Sequence, residues 1–426
     1  MNQKLSFKNN SLEYILTYFL IAITGINFFS AGDGFMVIGL IASYYFFRKI
    51  NGMYSAQIIN YILFFVVIQI LQFAIMGTTE ITTPVKIVFR ILISYHILYF
   101  VGRAFPQYYV NVLFFFSILS FIFYFPSLIF PQFMKFFESV VVPITQPLFF
   151  REAGFQDIII YNFGAQQWNR NSGPFWEPGA FVGFLSLAII FDYLVNKKLF
   201  NIKKVVFYIA IVTTLSTAGY IVLFFILLFF FYKKSYKLYP IFLILMLFPL
   251  GQYTYYNLDF LSPEINYAYD DAQKFSRYSS TPVNRFTSVI LDLNDLKKSP
   301  FFGISDNGHV RYGSKYEDKQ TVGKTWTHRN NGISYFLSAF GIVGFLVYFG
   351  CMYKSFERIS YYFNENKSYA VFMMVVVFIV GFSEKYFTRE LFFGLSILFV
   401  FYGNKKRSPY SVSKYNTPNK MNYLLK

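Results

Sequence analysis

The chain has 426 residues, of which 55% are hydrophobic, 23% aromatic and only 14% charged. Soluble globular domains carry about 25% charged residues, so this composition argues against a soluble helical protein. The formal charge of +17 sits in short clusters beside apolar runs (Arg48-Lys49, Lys197-Lys198, Lys203-Lys204, Lys233-Lys234, Lys405-Lys406-Arg407), which mark cytoplasmic loops and argue against nucleic acid as a partner.

The apolar runs are about 15 to 25 residues long, enough for a helix to cross the hydrocarbon layer of a lipid bilayer. Taken in order, spans begin near Leu12, Gly34, Ala56, Pro84 and Tyr108, giving an N-terminal transmembrane part over 1–130. The first run, Leu12–Phe29, has no small-residue cleavage site after it and reads as a span rather than a signal. A first outer loop occupies 131–178, followed by a span over Gly179–Val195. Val205–Tyr232 is too long for one comfortable span and carries a lysine pair at each end. A turn at Ser216-Thr217-Ala218-Gly219 would split it into two short helices of about 14 residues, each reaching roughly 21 Å. A span over Tyr239–Tyr253 closes the part 179–254, and a larger outer loop fills 255–328. Asn331–Tyr353, Ala370–Phe387 and Glu390–Tyr402 complete the C-terminal part, 329–403. The tail 404–426, rich in Ser, Asn, Lys and Tyr, reads as disordered and cytoplasmic. The expected fold is an all-α polytopic membrane protein with about 12 transmembrane helices and both termini cytoplasmic. The single cysteine, Cys351, provides neither an internal disulfide nor a cysteine metal cluster.

Polar residues are conspicuous in so apolar a chain. Trp168-Asn169-Arg170-Asn171-Ser172-Gly173-Pro174-Phe175-Trp176-Glu177-Pro178-Gly179 stands just before a span, with Pro178 suited to the first helical turn and Gly173-Pro174 to a bend. The tryptophans read as interfacial anchors, whereas Arg170 and Glu177 are candidate site residues. In the large loop come Arg277, Arg285, His309 and Arg311, then Thr327-His328-Arg329-Asn330-Asn331 entering a span. Arginine matches phosphate oxygens bidentately and stays charged. His328 can exchange a proton near neutral pH, while His309, flanked by small residues, reads as structural. Lys86 and Arg90, near the outer end of a span, could also meet a phosphate. Phosphate-loop, zinc-protease and nucleophile-elbow motifs are all lacking.

Four elements in this order resemble the superfamily of O-antigen polymerases and O-antigen ligases. They are Arg170 to Pro178, Leu215-Ser216-Thr217-Ala218-Gly219-Tyr220, Asn284-Arg285-Phe286 leading to Ser299-Pro300-Phe301-Phe302-Gly303-Ile304, and His328-Arg329-Asn330-Asn331 followed by Phe340-Gly341-Ile342-Val343-Gly344. The resemblance covers roughly the C-terminal two thirds of the chain. It implies a GT-C-like glycosyltransferase of the bacterial inner membrane, with its active site facing the periplasm and the two outer loops periplasmic. Such an enzyme moves glycan from an undecaprenyl-diphosphate-linked oligosaccharide to an acceptor hydroxyl, with inversion and without metal or cofactor. In that reading His328, or else Glu177, is the catalytic base. Arg170, Arg285, Arg329, Asn330 and Arg90 bind the diphosphate or substrate, and a chain-length regulator is a partner left open. Many ligases carry Arg where this chain has Ala218, and Asn directly after the His where it has Arg329. The Phe-Trp-Glu-Pro-Gly stretch fits a polymerase better. A ligase acting on lipid A core or protein, and a lipid-linked oligosaccharide flippase, are the competing readings.

Overall fold

The computed structural model describes residues 2–30, 33–76, 82–133, 135–136, 139–140, 157–158, 160–162, 169–233, 285–307 and 329–403. The expected span over Tyr239–Tyr253, the outer-loop residues Arg277, His309, Arg311 and His328, and the tail lie outside them. The described chain is all-α apart from a short antiparallel ladder that pairs Asp157 with Asn162 and Ile158 with Tyr161. In order come α1 (Asn2–Gly25), the single turn α2 (Asn27–Ser30), α3 (Asp33–Lys49), α4 (Ala56–Met76), α5 (Thr82–Val101) and α6 (Phe105–Ile129). Then follow α7 (Pro178–Asn196), α8 (Ile202–Thr213), α9 (Thr217–Lys233), α10 (Arg285–Leu296), α11 (Gly332–Tyr362), α12 (Lys367–Ser383) and α13 (Glu390–Ile397).

Among the described residues, four helical stretches are long and apolar enough to cross a membrane: Ala56–Ile75, Thr82–Ile129, Pro178–Asn196 and Gly332–Tyr362. Their outward faces carry hydrocarbon. On α4, Ile59, Leu63, Val67, Ile70 and Phe73 form one exposed row at three- and four-residue spacing, and Phe115, Ile118, Ile122, Phe125 and Ile129 do the same on α6. Exposed apolar rows of that extent suit lipid rather than water.

The core is built on α7, in which every residue from Pro178 to Leu194 is buried. A helix that is apolar all round belongs inside, and here α6, α8, α9 and α12 pack around it. Three tyrosine hydroxyls fasten it by donating to its carbonyls: Tyr386 to Gly179 O (2.9 Å), Tyr109 to Phe184 O (3.1 Å) and Tyr369 to Ile190 O (3.0 Å). The split between α8 and α9 falls at the small polar patch around Ser216, with Leu215 in the left-handed conformation (φ 48°).

Three features differ from the sequence expectation. The span begun at Asn331 continues to Tyr362, and the one begun near Ala370 starts at Lys367 and stops at Ser383, before Phe387. The large loop contains a helix, α10, whose buried face is mostly polar (Thr287, Ser288, Leu291, Asp292, Asp295). Lys204, read as a cytoplasmic surface mark, is fully buried and pairs with Asp192 at 3.0 Å. The cause is local. Asn201 caps α8 by accepting from Lys204 N (2.9 Å), and its amide donates to Asp192 (2.6 Å), so the first turn of α8 faces α7.

α11 is broken at Gly341 (φ 68°, ψ −178°), and the segment Ser299–Ile304 supplies the missing partners. Ile342 N and Val343 N donate to Pro300 O (2.9 Å) and Phe301 O (3.1 Å), and Ile304 N donates to Ser338 O (3.0 Å). The Gln72 amide donates to Phe302 O and Ala339 O, each at 2.6 Å. Backbone at such depth must be paired. Gly303 (φ 75°) and Gly341 approach so closely that a Cβ on either would run into the other segment's backbone. Two stretches singled out in the sequence thus form one joint.

Candidate functional site

Ion pairs gather at the two ends of the bundle. One end holds Lys197 and Lys233 on Glu365 and the buried Lys204–Asp192 pair. The other end holds the residues of interest. It is formed by 169–177 before α7, the α8–α9 turn, the start of α10 and α11, and the six-residue link 384–389 between α12 and α13.

The chain turns at Gly173 (φ 54°) and bends on to Glu177, the extended N-cap of α7, with Pro178 in the first turn. This leaves Trp176 and Glu177 facing the C-cap of α12, Glu384. The Trp176 indole N–H donates to Glu384 Oε2 (3.1 Å) and to Glu177 Oε1 (3.3 Å). The two carboxyl groups thus meet at one indole N–H. Glu384 is only 3% exposed, and a Cβ at Gly179 would overlap its Oε1. Burial, followed by the neighbouring Glu177, pushes the Glu384 carboxyl well above the usual carboxylate range; Arg285 and the Trp176 N–H pull the other way. A carboxyl raised in this way keeps its proton to higher pH than a free one.

Arg285, the first residue of α10, donates from Nε to Ser383 O (3.2 Å) and brings Nη2 to 3.9 Å from Glu384 Oε1. Its position is set by the inner face of α10. Asp292 accepts from Arg329 Nε (3.1 Å), Ser334 Oγ (2.7 Å) and Ser338 Oγ (3.3 Å), and Asp295 from Arg329 Nη2 (3.5 Å). Asn330 N donates to Ser288 Oγ (3.0 Å). Arg329 and Asn330, expected to bind substrate, therefore stand in the joint between α10 and α11, and Arg329 is 2% exposed.

Arg170 donates from Nε to Thr214 O (3.1 Å) at the carbonyl end of α8, where a cation suits the helix terminus. Beside it, Asn171 N donates to Thr213 O (3.0 Å) and its amide to Ser120 and Thr213 hydroxyls (both 3.0 Å). Arg90 donates to Thr388 O (2.8 Å) and lies 3.5 Å from both Asp306 and Glu390. Lys86 pairs with Asp33 at 2.9 Å.

The structure thus joins Glu177 to Arg285 through Glu384, and brings Arg90 to the far end of the same link. It ties Arg170 to the α8–α9 turn and Arg329 to α10, and His328 falls outside the described residues. The link itself was missed in the sequence. Its signal was there: Glu384, Lys385, Arg389 and Glu390 place four charges within seven residues between apolar runs. The chain matches no protein-family model and no curated protein.

Proposed function

We propose that this chain is a surface-polysaccharide polymerase of the O-antigen type. It would sit in a bacterial inner membrane with about 12 GT-C-like crossings, both termini in the cytoplasm and the carboxyl-pair end facing the periplasm. The observation that carries the reading is a cation, Arg285, held beside the Glu177–Glu384 pair at one end of an apolar helix bundle. The pairwise meeting of the motifs adds support: Arg170-Asn171 on Thr213-Thr214, and Ser299–Ile304 in the break of α11.

The donor is an undecaprenyl-diphosphate-linked oligosaccharide and the acceptor a sugar hydroxyl of a second lipid-linked repeat. The acceptor oxygen attacks the anomeric carbon from the face opposite the diphosphate, forming one C–O bond as the bond to phosphate breaks. The hydroxyl proton passes to a carboxylate of the Glu177–Glu384 pair, or to His328. The leaving diphosphate takes the electron pair and is stabilised by Arg285. Arg329 acts at one remove, holding α10 so that Arg285 stays in place.

Deleting the gene in its native host and resolving the surface polysaccharide on a gel tests this. Single-repeat stubs with long chains gone are expected. Full-length polymer accumulating on its lipid carrier would assign the ligase reaction instead, and unchanged polysaccharide would overturn both.

A further inference from the structure

At the carboxyl-pair end, four arginines each bond or pair with oxygens of the protein. Arg90 bonds Thr388 and pairs with Asp306 and Glu390; Arg170 bonds Thr214; Arg285 bonds Ser383; Arg329 bonds Asp292 and Asp295. Arg389 differs. Its guanidinium makes no hydrogen bond or ion pair among the described residues and lies over the Trp176 ring, 5.9 Å from the centroid. A cation–π contact at that distance takes up none of the guanidinium N–H donors in a hydrogen bond. Asp306 and Glu390, the carboxylates that act on it electrostatically, each lie 3.5 Å from Arg90. Lys385 adds a third cation, over the Tyr335 ring at 4.2 Å. Neither Asp306 nor Glu390 forms an ion pair with Arg389. A planar fork of donors in a half-buried place matches two oxygens of one phosphate.

We propose that Arg389 binds a phosphate group, forking onto two of its oxygens from the face of the Trp176 indole. That indole's N–H is bonded to the Glu177–Glu384 pair, so the phosphate would lie one side chain from the candidate acid–base groups. Identifying it with the carrier's diphosphate rests on the function proposed above; the phosphate site itself does not.

The test uses the full chain in detergent with Trp168→Phe and Trp326→Phe, which leaves Trp176 as the sole indole. Inorganic pyrophosphate should draw Arg389 off the ring and give a saturable change in Trp176 emission. R389Q should weaken that binding by about tenfold or more, and R389K, which keeps the charge but loses the fork, by an intermediate amount. R358Q, in α11 beyond the described site, should leave it unchanged. R389K guards against misfolding of R389Q, since it retains charge and ring contact. Absence of a saturable response, or affinity unchanged in both Arg389 variants, overturns the proposal. Parallel titrations with undecaprenyl diphosphate and phosphatidylglycerol identify the source of the phosphate. Tighter binding of the former supports the carrier, and equal binding of the phospholipid overturns that identification. If gene deletion leaves polysaccharide unchanged while pyrophosphate binding still depends on Arg389, the function falls and the phosphate site stands.

Discussion

The Trp176 indole N–H is shared between Glu384 at 3.1 Å and Glu177 at 3.3 Å, so one donor clamps together two carboxyls that are 207 positions apart in the chain. Glu177 is also among the causes that raise the Glu384 carboxyl. E177Q and E384Q should each lower polymer formation by about 10²- to 10⁴-fold, the range for loss of a positioned acid–base group. Chain-length analysis of polysaccharide from the two variants checks this, and full-length polymer in both would remove the pair from the chemistry.

Stability should also report the pair. The Glu384 carboxyl holds its proton to higher pH in the folded protein than its ordinary value of 4.5. Its contribution is therefore fully present below about pH 4.5 and is lost as pH rises toward the folded value. The thermal midpoint in detergent should fall between about pH 5 and about pH 8 in the parent, and less so in E384Q, which carries no charge at any pH. Equal slopes in the two proteins would show that Glu384 ionises normally.

Arg285 and Arg329 should separate cleanly. R285A should abolish polymer while leaving insertion and thermal midpoint nearly unchanged, because this side chain is partly exposed. R329A leaves Asp292 and Asp295 buried without their cation and should cost roughly 3–5 kcal/mol. Denaturation midpoints and membrane yield, measured side by side, distinguish the two outcomes.

A double-mutant cycle on Asp192 and Lys204 should show strong coupling. Both side chains are fully buried, so D192N or K204M alone should cost about 3–5 kcal/mol and the double variant less than their sum. Additive costs would show that the pair is not coupled.

The joint in α11 depends on absent side chains. G341A places a Cβ against the backbone of Phe301 at a positive φ and should destabilise by at least about 1–3 kcal/mol. Loss of midpoint in G341A with a normal midpoint in G350A, a helix-interior control where a Cβ meets open space, would locate the effect at the break. An unchanged G341A midpoint would show that the joint tolerates a side chain.

Much of the helical framework is readable in one dimension. Apolar runs long enough to cross a bilayer, a proline at the start of α7 and a small polar patch between α8 and α9 act through local backbone preference and water-to-lipid transfer. Neither depends on distant residues. Which charges are buried, and against what, belongs to the third dimension. Lys204 reads like any loop lysine until the first turn of α8 is set against Asp192. Arg329 reads like a substrate cation until α10 brings two aspartates to it. Glu384 and Arg389 read as a connection between spans until Trp176, two hundred residues earlier, lies between them. Side-chain partnership of this kind is decided by helix packing, because hydrogen bonds and ion pairs act over a few ångströms and sequence separation carries no information about that distance.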